Sequence, residues 1–295
     1  MAHNHIRKSG DYIGLAFGLN LVFALFELFG GLWINSMAVI SDALHDFGDS
    51  MSLGFVWYFK RIARRKRDNR FTYGYQRYAL LGAIVNMIVL IIGSLIVLSQ
   101  ALPRLLHTVK PNSTGMLVFA IIGILVNGLV VYRMRGQRSL TEQAVTWHMM
   151  EDVLGWIAVL IVSLVLKFTN WYFLDPLLSI IIMVFILYKV IGNFRKTMAV
   201  FMQSAPENIN NDEINRQLSK LEKVKSAHHT HIWSLDGEHN VLTTHIVVEA
   251  DTTRAEVQNI KNRIKTLTES YHCEHLTVEI EYEDEDCSMN KNEHS

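Results

Sequence analysis

Six long apolar stretches dominate the first two thirds of the chain, at roughly 12–34, 36–59, 78–102, 114–133, 142–166 and 171–192. Each is long enough, at about 1.5 Å per residue, for a helix to cross a hydrocarbon core of about 30 Å. The pattern predicts six transmembrane helices. The second and fifth stretches are the least uniform, because they carry His45, Asp46 and Asp49, and His148, Glu151 and Asp152. A simple hydropathy threshold could miss them, and polar groups kept at that cost point to a function. After Pro206 the period changes. Ile209, Ile214, Leu218, Leu221 and Val224 form a helical stripe. THIWSLD and NVLTTHIVVEA read as strands joined by a turn at Asp236 and Gly237. A second helix over 253–267 turns Val257, Ile260, Ile264 and Leu267 inward, and HLTVEIEYE closes as a strand. The expected fold is an α-helical membrane protein with six transmembrane helices, residues 1–205. A small cytoplasmic α/β ferredoxin-like (αββαβ) domain follows, residues 206–295.

Composition agrees with that division. Half of the 295 residues are hydrophobic, only 19% are charged, and mean hydropathy is +0.17. A soluble domain carries about a quarter charged residues, and a disordered chain has far less apolar content. The net charge of zero conceals 19 Lys and Arg against 10 Asp and Glu in residues 1–205, and 9 against 18 afterwards. With both termini cytoplasmic, sixteen basic residues fall on inside segments and three on outside ones (Arg104, Lys110 and Lys167). That bias fits the positive-inside rule and an even number of crossings. The run KRIARRKRDNR lies between two spans, so an anionic lipid surface is its expected neighbour rather than nucleic acid. Asp175, ahead of Pro176, is expected to cap the first turn of the sixth helix. Cys273 and Cys287 read as isolated thiols.

Within SDALHDFGDS, His45 and Asp49 stand four apart and share a helical face. WHMMEDVLGW repeats the spacing with His148 and Asp152. Two imidazoles and two carboxylates from separate spans make a tetrahedral donor set that suits Zn²⁺. Two ionised aspartates balance its charge. With the metal gone they face one another, and a proton must replace it on a carboxylate or a histidine. Alternate occupancy by metal and proton is the minimum machinery of exchange transport. Asp46 and Glu151, each about 100° around the helix from its neighbouring histidine or aspartate, read as flanking polar groups. Asn20 and Glu27 in the first span are candidates to line the cavity, and Asp42 to face its aqueous side. Asn86 and Asn127 read as helix-to-helix hydrogen bonds.

These segments resemble the cation diffusion facilitator family, metal/proton antiporters with six transmembrane helices and a cytoplasmic carboxy-terminal domain. The resemblance rests on NSMAVISDALHDFGDS, FTYGYQRYALLGAIVN, HMMEDVLGW and DPLLSIIIMVFILYKV, with HTHIWSLDGEHNVLTTHIVVEA and HLTVEIE in the tail. It implies a transport site of His45, Asp49, His148 and Asp152, dimeric assembly, and export of metal against entering protons. The His-Asp-His-Asp set looks like the zinc-transporting branch, since imidazole favours zinc over harder manganese. The family's His-rich loop between spans four and five is missing from MRGQRSL.

In the tail, strand alternation places His229, His231, Trp233 and Leu235 on one face, with His245 brought near His231 by the hairpin. His275, Thr277, Glu279 and Glu281 share a face of the last strand. His231, His245, His275 and Glu281 are therefore candidate ligands of a second metal, and the family resemblance implies that this domain binds Zn²⁺, helps set the dimer and responds to cytosolic metal. Cations bound there would ease repulsion between two acidic domains and tighten a homodimer. The reading is a Zn²⁺/proton antiporter of a bacterial inner membrane, with divalent metal, protons and lipid as partners and no nucleic acid or nucleotide. Cd²⁺, Co²⁺, Fe²⁺ or Mn²⁺ are alternative substrates. A membrane metal sensor or a metal-dependent hydrolase are rival classes, the latter disfavoured by the lack of HExxH.

Overall fold

A computed structural model describes residues 3–63, 65, 67–134, 140–285 and 287. The side chains of 3–16, 56, 57, 60, 61, 63, 133, 134, 140–146 and 148 lie outside that description. Six long helices come first: α1 (His3–Ile34), α2 (Met37–Ala63), α3 (Tyr78–Leu106), α4 (Ser113–Met134), α5 (Leu140–Phe168) and α6 (Leu174–Phe201). Then follow α7 (Asn211–Leu218), β1 (Val224–Ser234), β2 (Asn240–Val248), α8 (Arg254–Glu269) and β3 (Cys273–Tyr282). The chain divides into two compact units, 1–62 with 81–194, and 63–80 with 195–295.

Five of the six long helices are apolar enough to cross a membrane. The exception is α2, where Asp42, Asp46 and Asp49 interrupt the apolar run. The outward faces carry exposed Leu19, Val22, Phe29, Leu125, Leu129 and Ile181, surface that water would not tolerate in such quantity and lipid would. A sharp corner joins α1 to α2 at Asn35, whose φ of 56° is left-handed, a conformation asparagine adopts more readily than most residues. Arg104 of α3 braces the corner by donating to Asn35 Oδ1 at 2.9 Å.

Helix packing turns on small residues. A side chain at Gly48 would strike Leu90 of α3, and Gly123 of α4 lies under the indole of Trp156. Trp156 is fully buried, in a cluster with Ile34, Val39, Met116 and Val159. Asn86 donates to Ser52 Oγ at 2.6 Å, a bond between α3 and α2 as its position indicated.

Asp175 departs from expectation. Its carboxylate accepts from the Ser36 hydroxyl and from the backbone N–H groups of Met37 and Ala38, at 2.6, 2.7 and 3.2 Å. It caps α2 rather than its own helix, because the orphan donors of the buried α2 start have no water to turn to.

In the second unit β2 is central, antiparallel to β1 and parallel to β3, with α8 as the crossover. Ile214 and Leu218 of α7 and Ile260 and Ile264 of α8 share one core with Ile232, Leu242, Ile246 and Val248. Helix α7 ends at Leu218, so Val224 begins β1 instead of continuing the helical stripe. The turn between them needs Lys223 at a φ of 67°, and its ammonium is held by Glu249 and Asp251. Strand β1 also carries a bulge between His228 and His231, with His229 at a φ of 45°. The extra residue breaks the simple alternation read from the sequence and sets His228 opposite His245.

Candidate metal centres

The first centre lies between α2 and α5. His45 and Asp49 occupy successive turns of α2, and Asp152 projects from α5. His45 Nε2 stands 3.9 Å from Asp49 Oδ2 and 3.6 Å from Asp152 Oδ1. Ligands about 2.0–2.1 Å from a tetrahedral ion lie about 3.3–3.4 Å from one another, so these separations are close to what one shared ion requires. Asp152 is buried, while His45 and Asp49 keep partial access, at 27% and 31% exposure. The centre is thus closed toward α5 and open along α2. His148 stands on α5 one turn before Asp152, and its side chain lies outside the described residues. Trp156, one turn after Asp152 and locked against α4, fixes the rotation of α5 that aims Asp152 inward.

Glu151 is turned elsewhere, paired with Lys189 of α6. Asp46, read as a flanking group, and Asp42, read as facing the aqueous side of the site, both meet Glu27 of α1, itself read as lining the cavity. The i, i+4 spacing of the two aspartates was visible, but nothing local to α1 or α2 showed that Glu27 would arrive opposite them.

The second centre lies in the carboxy-terminal unit. His245 Nδ1 lies 2.7 Å from Glu281 Oε1, and His228 Nε2 lies 3.2 Å from Glu281 Oε2. Cys287 Sγ approaches His245 Nδ1 at 3.7 Å. One donor atom from each of His228, His245, Glu281 and Cys287 falls within 4.8 Å of the rest. Burial alone would raise the Glu281 carboxyl, but bonds from His245 and Cys287 and the charge of His228 hold it below the usual glutamate range. It is therefore anionic at neutral pH, and a set of two nitrogens, an oxygen and a sulfur would suit zinc.

His245 and Glu281 are brought together. His231 and His275 are not in this group: His231 is exposed opposite Thr243, and His275 stacks edge-on against Tyr73, with ring centroids 5.0 Å apart. His228 enters through the bulge in their stead. Cys287 is a free thiol, as read, but not a solitary one, because its sulfur stands beside His245 of β2. Its place five residues past the strand end was the only signal, and spacing alone does not reveal a reversal.

Helices of this length and apolarity, with ionisable donors turned inward between them, define a multi-pass integral membrane protein built around a cation site. Residues 13–202 match the model of the cation efflux transmembrane domain, and residues 206–283 that of the cation efflux protein cytoplasmic domain. The chain belongs to the cation efflux family, the cation diffusion facilitators, and is a transporter rather than an enzyme. It is 31% identical over 288 residues to a cadmium, cobalt and zinc/H(+)-K(+) antiporter of Bacillus subtilis, covering 96% of this chain and 93% of the relative. Zinc transporter ZitB of Escherichia coli is 28% identical over 311 residues, with 99% and 97% covered. Metal cation efflux system protein CzcD of Cupriavidus metallidurans is 28% identical over 283 residues, with 95% and 89% covered.

Proposed function

We propose that this protein is a divalent metal/proton antiporter that exports Zn²⁺ from the cytoplasm by alternating access. The observation that carries the reading is the approach of His45 to both Asp49 and Asp152 between two membrane helices. His148, one turn from Asp152, completes a donor set of two imidazoles and two carboxylates. Metal from the cytoplasm loses its water to these four groups, and the two aspartates neutralise its charge in a setting where an unpaired charge is costly. When the helices reorient, protons taken up by the vacated donors replace the metal, so the site is never left with two bare carboxylates. Glu151, the group that a hydrolase reading would take as its base, is engaged by Lys189.

In this reading residues 1–205 form six membrane crossings, with α2 as the polar sixth, and residues 206–295 form a cytoplasmic domain of ferredoxin-like type. Both termini are cytoplasmic, the membrane is a bacterial inner membrane, and the basic run between α2 and α3 rests on anionic lipid. The protein is a homodimer. His228, His245, Glu281 and Cys287 bind a regulatory zinc that eases repulsion between paired acidic domains. The naming of cadmium and cobalt for the Bacillus relative supports a second reading, in which the same site also carries those ions.

The test is zinc flux into sealed proteoliposomes under an imposed pH gradient, with Asp49→Ala in parallel. Flux that follows the gradient and is abolished by the substitution is expected. Intact protein that binds zinc but moves none, with any gradient or metal, would leave only the sensor reading.

A further inference from the structure

A second face of α2 bears carboxylates that the transport site does not use. Asp42 and Asp46 are one turn apart and meet α1, and at about 100° per residue their common direction is rotated about 60° from that of His45 and Asp49. Glu27 of α1 meets them, and one carboxylate oxygen from each of the three lies within 4.8 Å of the other two. Glu27 is fully buried, and Asp42 and Asp46 are 6% and 7% exposed. Among the described residues no N–H or O–H group donates to either oxygen of Glu27 or to Oδ2 of Asp42, and the Glu27 carboxyl lies against that of Asp46. Among the described residues, no lysine or arginine pairs with any of the three.

Such a group is unstable as it stands. Each buried carboxylate costs several kcal/mol without a partner, at order-of-magnitude level, and three of them repel one another. Two oxygens bound to one ion at about 2.2–2.4 Å are at most about 4.4–4.8 Å apart, which matches the spread of these donors. The donor set is oxygen only, with no imidazole or thiolate within it, and such sets favour harder ions than the site of His45 does.

We propose that Glu27, Asp42 and Asp46 form a second cation site within the membrane domain, one that takes a hard divalent ion through carboxylate oxygens alone. It is a binding site in its own right and stands whether or not the transport reading holds. The experiment uses the full chain in lipid nanodiscs titrated with Mn²⁺, read by electron spin-echo spectroscopy. A nitrogen ligand imprints its nuclear modulation on the echo, and an oxygen-only site does not.

One Mn²⁺ per chain without nitrogen modulation is expected, retained in His45→Ala and lost in Glu27→Gln and in Asp42→Asn. Each of those two removes one anionic ligand, and a weakening of about tenfold or more is expected. Circular dichroism and size-exclusion profiles establish that each variant is folded, and if Glu27→Gln is not, Asp42→Asn decides. Absence of the nitrogen-free ion overturns the proposal, leaving a cluster that holds protons instead. Its persistence in the folded variants does so equally, since the ion would then sit on other carboxylates. Loss in His45→Ala would assign it to the neighbouring imidazole site.

Discussion

Asp175 Oδ1, at the start of α6, accepts the hydroxyl of Ser36 at 2.6 Å, just ahead of α2. The same carboxylate receives the N–H groups of Met37 and Ala38, so α6 supplies the cap of the helix that carries His45 and Asp49. The negative charge also complements the positive end of the α2 dipole. Asp175→Ala leaves three buried donors unmet. We expect a loss of about 2–4 kcal/mol, read as a lower melting temperature in detergent, with reduced metal flux. Asp175→Asn, which keeps one acceptor oxygen, is expected to lose less.

Gly123 and Trp156 set the rotation of α5. A Cβ at position 123 would stand 2.3 Å from the indole of Trp156, so Gly123→Val must displace a ring that is fully buried. Overpacking of this kind costs about 1–3 kcal/mol. Because Trp156 is one turn from Asp152, metal binding at the α2–α5 centre should weaken more than helix content falls. Zinc titration alongside circular dichroism separates the two effects.

Replacing the imidazole of His45 tests metal choice. His45→Asp turns a mixed nitrogen and oxygen set into a harder one, and the ratio of zinc to manganese transport should fall by about tenfold or more. Equal ratios in competitive flux assays would mean that His45 does not contact the ion.

Zinc at the carboxy-terminal centre should depend on His245 and Glu281 more than on His231 or His275. Isothermal titration of the full chain carrying His245→Ala is expected to show one fewer high-affinity zinc, whereas His275→Ala keeps it. Cys287→Ser should weaken that zinc by about tenfold to a hundredfold, as loss of a thiolate ligand would. Retention of full affinity in Cys287→Ser would remove the thiol from the ligand set.

The hairpin turn has its own pH window. Asp236 Oδ2 lies 2.8 Å from His239 Nδ1. Burial works against the Asp236 carboxyl, yet bonds from the backbone and ring of His239 bring it below 3.8. The bond to Asp236 lifts His239 above 6.5. The histidine contribution is therefore complete below 6.5 and fades as pH rises through the raised value. The aspartate contribution is complete above 3.8 and fades as pH falls through the lowered one. With the His239 ring 45% exposed, the pair contributes about 0.5 kcal/mol or less. Ring-proton titration by NMR should show the upward shift of His239 vanish in Asp236→Asn.

The long helices and the ionisable rungs within them were legible because membrane crossing imposes a local rule. Every backbone group must be satisfied inside the helix, and every buried charge needs a reason, so His45, Asp49, His148 and Asp152 stood out from spacing alone. The same reasoning found His245 and Glu281, since strand alternation assigns faces. It misplaced His228 and His231 because a bulge adds a residue to one strand without changing composition. It missed Cys287 because chain reversal beyond β3 has no periodic signature.

What the chain determined by itself was therefore the order of its elements, the division between long apolar helices and a small α/β unit, and the face of each ionisable residue within an unbroken helix or strand. These follow from periods of 3.6 and 2, which are set by backbone geometry within one element. Only tertiary structure decided which faces meet: Asp175 with the start of α2, Asp152 with His45, Glu27 with Asp42 and Asp46, Cys287 with His245. Each contact joins elements distant in sequence, and its existence depends on how apolar surfaces and small residues let the helices and strands approach, a many-body packing outcome that no local pattern carries.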